Sequence, residues 1–542
     1  MPGSGSVKVG AVVATVLVLA SACSSSDNGS SDDAVAPAGS SAEIGTLPDA
    51  AKKVMEKPEY GTARWIYYVS NADTGEVLLA NRPDEMIYTG STAKNFTVAS
   101  VYDTVGADTR FTTPVYTTAP PDAGVVPGNL VLVASGDLAL GGRGGLDGKM
   151  DHTFYSDTVD HQYGNLAPNA RPSTDVGDPL AGVNELARQV AAKGVTRIDG
   201  DVVVDTRLWD TYQSNDGPVT PIFVNDNILD VMVTAAAVDG TATIVSSPQT
   251  GAYTVVSQVQ TVAGDGDTAL SIEPDPADPT KLLVSGTIAA GKSQLSVYNV
   301  PDPADWARIL FIEALGRAGV TVAAPARAAN NESILPASGT FTDDRKVASI
   351  ESPPVAAMGA MILETSYNAG ANAFLCMLAV KAGKTDCLAG IETIYGLVEK
   401  AGLNKDAVFV TDGQGGDPAS ATPRQLTKWM EWARKQPWGD AIVAGQPVLA
   451  ESGSLAPYGA GTPAAGKVAA KAGTGVALNP STGRLLTNVQ SLAGYLTLDD
   501  GTVLAFDLAM GGATYPQLYD GLVQAGADVA EVAAAFQQGL SN

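Results

Sequence analysis

The spacing of apolar residues changes twice along the chain and divides it into three stretches with different predicted secondary structure. In the first stretch, apolar runs at Trp65–Ser70 and Glu76–Ala80 flank a short polar turn, which predicts a β-hairpin. From about Gly106 to Ala348, short β-rich runs punctuated by Pro and Gly predominate, and we expect one helix there, at Pro303–Ala318. The β-rich runs are Leu130–Ala134, Asp201–Asp205, Asp230–Ala236, Tyr253–Val262, Lys281–Ile288 and Gln294–Val300.

From Ser349 onward, helical and β patterns alternate again. The predicted helices are Pro354–Ala382, Leu388–Ala401, Thr422–Lys435 and Tyr515–Gln537, and the predicted strands are Val468–Ala472, Thr487–Leu498 and Thr502–Met510. A hairpin and three later strands can share one antiparallel sheet. The predicted fold class is therefore α/β (α+β), with a discontinuous domain at 45–106 and 349–542 and a β-rich inserted region at 107–348.

The N-terminal residues are typical of a targeting segment rather than of a folded element. Lys8 precedes the apolar run Val9–Ala20, which would rise only ~18 Å as a helix and is too short for a ~30 Å hydrocarbon core. The run ends in Ala20-Ser21-Ala22-Cys23, which resembles a bacterial lipobox in which the cysteine becomes lipidated. We expect a signal peptide at 1–22, a Ser- and Asp-rich tether at 23–44, and an extracytoplasmic protein anchored to the cell membrane. The alternative is an ordinary signal peptide with a chance cysteine.

Charge and residue counts exclude several classes of function. The formal net charge is −25, which disfavours nucleic acid as a partner because such binding needs a cationic surface. The chain has two histidines, His152 and His161, and three cysteines, too few for a multi-cysteine zinc module. A Ser–His–Asp hydrolase would have to use one of those two histidines. We expect both to be solvated loop residues, with no metal and no cofactor.

One Ser-x-x-Lys sequence, Ser91-Thr92-Ala93-Lys94, lies at a predicted helix start. Residues three apart share a helix face, so Lys94 can reach the Ser91 hydroxyl and take its proton without a histidine. A lysine base must be neutral, and an unperturbed lysine has a pKa of ~10.4. The pattern therefore predicts a buried Lys94 beside another cation, which would lower its pKa.

Two further short motifs follow in order. Ser366-Tyr367-Asn368 comes later in the chain, and Lys471-Ala472-Gly473-Thr474 follows on a predicted strand. An earlier Ser-x-Asn lies in the tether, before the nucleophile. Other Lys-Ala-Gly triplets lie at predicted helix ends, where Gly is typical of a cap. Order and spacing together predict a three-part active site of the kind Ser-x-x-Lys, Ser-x-Asn and Lys-Thr-Gly.

With these motifs, the chain resembles the D-alanyl-D-alanine carboxypeptidase/endopeptidase family, the low-molecular-mass class C penicillin-binding proteins. The resemblance extends over roughly Asp49 to Gly512 and includes a β-rich insertion between the first two motifs. The segments that carry it, besides the motifs, are Asn129–Gly142, Gly194–Leu208, Ser352–Val355, Asp412-Gly413, Gly461–Thr474 and Gln490–Tyr495.

The resemblance implies a role for each motif residue. It implies that Ser91 forms an acyl-enzyme with peptidoglycan stem peptides, and that Lys94 is the general base. It further implies that Ser366 relays a proton and that Asn368 binds the substrate amide. Lys471 and Thr474 would attract the substrate carboxylate. β-Lactams are the implied covalent inhibitors.

Several alternatives stay open at this stage. A β-lactamase or esterase would use the same Ser–Lys chemistry. A non-catalytic wall-binding lipoprotein would keep the fold, and Ala472 in place of the usual Thr is the one hint of it. Carboxypeptidase and endopeptidase activity are not separated by these motifs. Cys376 and Cys387 either form a disulfide or are two buried thiols.

Overall fold

The first part of the chain supplies three strands and two helices, one of which follows Ser91. The computed structural model describes residues 43–143, 150 and 158–541. Strand β1 is buried along nearly its whole length, which identifies it as an internal strand of a sheet covered on both faces. The elements are α1 (Asp49–Met55), β1 (Arg64–Asn71), β2 (Val77–Asn81), β3 (Ile87–Tyr88) and α2 (Lys94–Val101).

The middle part is rich in short strands packed around two helices. Apolar residues of both helices and of the surrounding strands form one core, which includes Leu186, Trp306 and Phe311. The elements are β4 (Thr112–Thr117), β5 (Val125–Val126), β6 (Leu130–Val133), α3 (Ala181–Ala192), β7 (Arg197–Ile198), β8 (Val202–Asp205), β9 (Tyr212–Ser214), β10 (Gly217–Val219), β11 (Ile228–Thr234), β12 (Thr243–Ser247), β13 (Thr254–Ser257), β14 (Gln260–Val262), β15 (Ala269–Asp275), β16 (Asp278–Ala289), β17 (Ser293–Asn299), α4 (Pro303–Arg317), β18 (Thr321–Val322) and β19 (Lys346–Glu351).

The last part returns to the first and completes its sheet. Its helices are α5 (Val355–Glu364), α6 (Asn368–Lys381), α7 (Gly390–Lys400), α8 (Pro423–Arg434), α9 (Gly439–Ala444) and α10 (Leu518–Leu540). Its strands are β20 (Val408–Phe409), β21 (Ser420–Ala421), β22 (Val468–Leu478), β23 (Leu485–Thr497), β24 (Val503–Gly511) and β25 (Thr514–Tyr515). None of the helices in the described residues is both long and apolar enough to cross a bilayer.

The main sheet joins the two ends of the chain. Its strand order is β2-β1-β24-β23-β22, and all these pairs are antiparallel, with Tyr67 opposite Leu508. Helices α1 and α10 cover one face with a core that includes Phe536. Helices α2 and α8 cover the other face, where Phe96 and Trp429 pack near Tyr495, and α6 packs on α2. The predicted shared antiparallel sheet is confirmed, and β22 lies at its edge beside the Ser91 turn.

The structure differs from the prediction at two helical segments and at the run Tyr253–Val262, which forms two strands, β13 and β14. The helix expected at Pro354–Ala382 is two helices, α5 and α6, separated at Thr365–Tyr367. Ser366 in this break has φ 58°, a left-handed conformation that ends one helix before the next begins. Helix α3 was not predicted, although its buried residues recur at helical spacing, because the surrounding β-rich runs dominated the pattern. The domain boundaries given above stay a prediction.

Cys376 and Cys387 form a disulfide that joins α6 to the turn before α7. Both residues are buried. This answers the question that the sequence left open, and it closes a short loop at the end of the helix that Asn368 begins.

Candidate active site

Ser91 and Lys94 lie where a short 3₁₀ turn, Gly90–Ala93, continues into α2. The Lys94 Nζ donates hydrogen bonds to Ser91 Oγ and to Asn368 Oδ1, each at 2.7 Å, and to the Gln414 carbonyl at 3.1 Å. The turn packs directly on β22: a Cβ on Gly90 would lie 2.7 Å from the backbone nitrogen of Thr474. Glycine at position 90 therefore permits the nucleophile turn and the third motif to meet.

The Lys94 amine is fully buried, and this changes its chemistry. Burial lowers the pKa of Lys94 to about 7, while the negative charges of Asp412 and Asp216 act in the opposite direction. Near neutral pH, about half of the amine is then unprotonated, as a general base must be. The sequence prediction of a buried lysine in contact with the serine therefore agrees with the geometry.

The second motif occupies the break between α5 and α6. Ser366 is half-buried, and its Oγ has no hydrogen-bond partner among the residues that the structure describes. Asn368 is the first residue of α6 and makes contacts in two directions. Its Oδ1 accepts from Lys94, and its Nδ2 donates to Asp216 Oδ2 at 2.9 Å. The motif therefore connects the lysine to a carboxylate of the inserted region.

The third motif is on β22, at the edge of the main sheet. Lys471 is fully buried, and its Nζ donates to the carbonyl of Ala472 at 2.7 Å. Burial and the neighbouring charge of Lys94 hold the pKa of Lys471 well below its usual value, and Glu364 acts in the opposite direction. Thr474 is exposed, and its Oγ1 donates to Gln490 Oε1 at 3.0 Å. A second basic residue beside Lys94 was expected, and Lys471 lies close enough for the charge of Lys94 to lower its pKa.

Sequence reasoning missed an acidic residue that reaches the site from a distance. Asp216 is at the turn of the β9–β10 hairpin, far from Asn368 along the chain, and it carries no motif. Asp412 belongs to a segment noted in the family resemblance, but no role was given to it. Its carboxylate accepts from the backbone N–H groups of Gln414, Gly415 and Gly416, so it shapes the loop whose carbonyl contacts Lys94.

The prediction that His161 is solvated is wrong, while His152 and Cys23 lie outside the described residues. His161 is 1% exposed, and its two ring nitrogens each lie 2.9 Å from a carboxylate, of Asp226 and Asp230. Asp160, His161 and Asp226 are close enough together to ligate a metal ion. The buried Arg143 guanidinium, however, donates to both Asp160 and Asp226, so a positive charge already occupies the centre of this cluster.

A serine hydroxyl bonded to a buried lysine whose pKa is lowered to about 7 is the arrangement of a hydrolase that works through an acyl-enzyme. Residues 47–526 match the model of the D-Ala-D-Ala carboxypeptidase 3 (S13) family, and the chain belongs to that family. The D-alanyl-D-alanine carboxypeptidase of Actinomadura sp. (strain R39) is 25% identical over 504 residues, which cover 88% of this chain and 83% of that protein.

Two solved structures share the fold. Penicillin binding protein 4 from Haemophilus influenzae superposes with a TM-score of 0.66 at 16% identity, covering 91% of this chain and 99% of that one. The same protein complexed with a β-lactam gives 0.62 at 17% identity, covering 88% and 97%. The expected penicillin-binding-protein fold and the expected serine-type D-Ala-D-Ala carboxypeptidase, a hydrolase, are confirmed.

Proposed function

We propose that Ser91 is the nucleophile and Lys94 the general base of a carboxypeptidase that trims peptidoglycan stem peptides ending in D-Ala-D-Ala. The observation that carries the proposal is the 2.7 Å contact between Lys94 Nζ and Ser91 Oγ, made by an amine whose pKa burial lowers to about 7. An exposed lysine would be almost wholly protonated at neutral pH and would be a poor base.

In the first half-reaction, Ser91 Oγ attacks the carbonyl carbon of the terminal peptide bond and gives its proton to Lys94. The C–N bond then breaks, and the leaving D-Ala amine takes a proton. Ser366 is the proposed relay for that proton, because it is half-buried next to Asn368, which contacts Lys94. Water next attacks the ester and releases the shortened peptide, and Ser91 recovers its proton.

Three residues are proposed to bind the substrate rather than to break bonds. Asn368 would donate its Nδ2 hydrogen bond to a substrate amide, once the substrate displaces Asp216. Lys471 and Thr474 would attract the terminal carboxylate from β22. The backbone N–H groups of Ser91 and Thr474 would form the oxyanion hole, where one donor is typically worth ~3–4 kcal/mol. The close packing of Gly90 on Thr474 supports this pairing.

The test is covalent labelling with a fluorescent penicillin, followed by intact mass and peptide mapping. We expect one acyl group, on Ser91, and release of D-Ala from a peptide ending in D-Ala-D-Ala. An adduct on another serine would contradict the assignment of the nucleophile. Rapid turnover of the penicillin would instead favour the β-lactamase alternative. Release of D-Ala from a linear peptide, but no cleavage of a cross-linked dimer, would distinguish carboxypeptidase from endopeptidase activity.

We also propose that the protein is extracytoplasmic and tethered to the cell membrane through a lipid on Cys23. The support is Ala20-Ser21-Ala22-Cys23 at the end of the short apolar run. Changing Cys23→Ser should move the protein from the membrane fraction to the soluble fraction. A variant that stays in the membrane, with its N-terminus uncleaved, would identify a signal anchor instead.

A further inference from the structure

A short segment of the inserted region contacts the second motif of the active site. The Gln162 Nε2 donates to the Thr365 carbonyl, and its Oε1 accepts from the Asn368 N–H, both at 3.3 Å. The hydroxyl of Tyr163 donates to the Ser366 carbonyl at 3.0 Å. Two neighbouring side chains of the inserted region therefore bind backbone groups on both sides of Ser366.

These contacts are made to a strained stretch of backbone that lies between two helices. Ser366 has φ 58°, a conformation that costs a residue with a side chain roughly 1–2 kcal/mol and persists only when neighbouring groups hold it. Helix α5 ends just before it, and α6 begins just after it at Asn368. The carbonyls at a helix end and the N–H groups at a helix start have no partners within their helices. Gln162 supplies one partner of each kind.

The segment that carries these two side chains is itself fixed by buried charge. Asp160 accepts a hydrogen bond from the backbone N–H of Gln162 and so caps the 3₁₀ turn His161–Tyr163. The guanidinium of Arg143, fully buried, donates to the Asp160 carboxylate and lies 5.0 Å from the ring centre of Tyr367. One buried arginine therefore touches both the capped turn and the middle residue of the second motif.

His161 in the same turn provides a second anchor, which shares the Asp226 carboxylate with Arg143. His161 lies between the carboxylates of Asp226 and Asp230, and both pairs are buried. These carboxylates raise the pKa of His161 to about 10, despite its burial. A charged, doubly bonded imidazolium leaves the turn little freedom to rotate. The turn is therefore a rigid support rather than a flexible surface loop.

We propose that Gln162 and Tyr163 are positioning residues that hold the Ser366 backbone so that the Asn368 side chain meets Lys94. The inserted region thereby completes the active site without touching the reacting atoms. The proposal rests on the proposed function, since it concerns the acylation of Ser91.

The test compares Gln162→Ala and Tyr163→Phe with matched changes elsewhere. Gln189→Ala removes a glutamine that also bridges two elements, because its Oε1 accepts from the Ser349 N–H. Tyr495→Phe removes a buried hydroxyl that donates to the Met430 carbonyl at 2.9 Å. The second-order rate constant for penicillin acylation should fall about tenfold or more in Gln162→Ala and about fivefold in Tyr163→Phe. Both control variants should keep the wild-type rate.

The pH dependence of acylation separates positioning from mere loss of stability. The Asn368 Oδ1 accepts from the Lys94 amine and so favours its protonated form. Loosening Asn368 should lower the pKa of Lys94 and move the acidic limb of the rate profile to lower pH. The other charged groups that face Lys94, namely Asp216, Asp412 and Lys471, are unchanged in these variants.

Melting temperatures are measured alongside the rates. A slower acylation with a shifted limb, in variants that melt no lower than the controls, would support the proposal. Wild-type rates and an unshifted limb in Gln162→Ala and Tyr163→Phe would overturn it. Rates that fall only in proportion to the unfolded fraction would overturn it too. If the wild-type protein itself takes no penicillin on Ser91, the proposed function fails, which is a separate outcome.

Discussion

A carboxylate from the inserted region should tune the base of the catalytic reaction. Asp216 accepts from Asn368 Nδ2, and the same amide contacts Lys94 through its oxygen. The Asp216 charge raises the pKa of Lys94, against the larger lowering by burial. Changing Asp216→Asn removes that charge and keeps an oxygen that can accept from Asn368. We therefore expect the pKa of Lys94 to fall and acylation to persist to lower pH.

The size of the change follows from the contacts. Through the Asn368 amide, the Asp216 carboxylate and the Lys94 amine lie within about 8 Å of each other. At effective dielectric constants from about 80 to about 20, their attraction is about 0.5–2 kcal/mol, which corresponds to about 0.4–1.5 pH units. From a starting pKa of about 7, the neutral fraction of Lys94 at pH 6 would rise from roughly 9% to roughly 20–75%. Acylation at that pH should become about two to eight times faster.

The assay is the second-order rate of acylation by a fluorescent penicillin, measured from about pH 5 to about pH 9. The wild-type rate should rise with pH to a half-maximum near pH 7. The matched control is Asp210→Asn, because Asp210 is in the same inserted region and accepts from the Thr385 hydroxyl at 2.8 Å. If the pH of half-maximal acylation is unchanged or higher in Asp216→Asn, the reasoning is refuted. A shift of the same size in the control would refute it as well.

Three other expectations concern the third motif, the main sheet and the disulfide. Ala472→Thr should change the acylation rate by roughly tenfold or less, because Ala472 packs toward the α10 core. Lys94→Ala should lower that rate at least about a hundredfold. Time courses of penicillin labelling measure both rates, and an Ala472→Thr variant that becomes reactive when the native protein is inert would favour the wall-binding alternative. Asp507 is buried, one of its carboxylate oxygens has no hydrogen-bond partner within the described part of the chain, and burial holds its pKa well above 3.8. The unfolded chain loses the Asp507 proton above about pH 4, whereas the folded chain keeps it, so the free energy of unfolding should fall by up to about 1.4 kcal/mol per pH unit above pH 4. Asp507→Asn should remove this pH dependence in urea titrations. An unchanged pH dependence in the variant would contradict the prediction. Replacing Cys376 and Cys387 by Ser should lower the free energy of unfolding by roughly 3 kcal/mol, because the unfolded chain gains the entropy of the opened loop. Equal denaturation midpoints for the variant and the native protein would contradict this prediction.

The main sheet was predictable because its strands are apolar runs bounded by clear turns. Strands β1 and β24 are mostly apolar, and β23 is buried along most of its length, as strands of a covered sheet are. The break at Thr365–Tyr367 was not predictable in the same way. No Gly or Pro marks it, and a left-handed serine leaves no trace in an apolar pattern.

The sequence predicts those site residues that lie close together along the chain. It does not predict the residues that only tertiary structure brings into the site. Ser91 and Lys94 are three residues apart, so helix geometry alone joins them. Asp216 and Gln162 reach the second motif across more than 150 residues, and no spacing rule links them to it. His161 was misjudged for the same reason, since its two carboxylate partners belong to a strand and turn much later in the chain.

The pairing of β1 with β24 has a consequence for how this protein is made. Thr62, just before β1, bonds to the carbonyl of Gly512, 450 residues further along the chain. At a synthesis rate of about 5–20 residues per second, the first strands wait roughly 20–90 s for their partner. During that time β1 and the nucleophile helix have exposed apolar faces and an unpaired edge, which favour aggregation. We therefore expect this chain to depend on a chaperone until β24, which lies in its last forty residues, has been made.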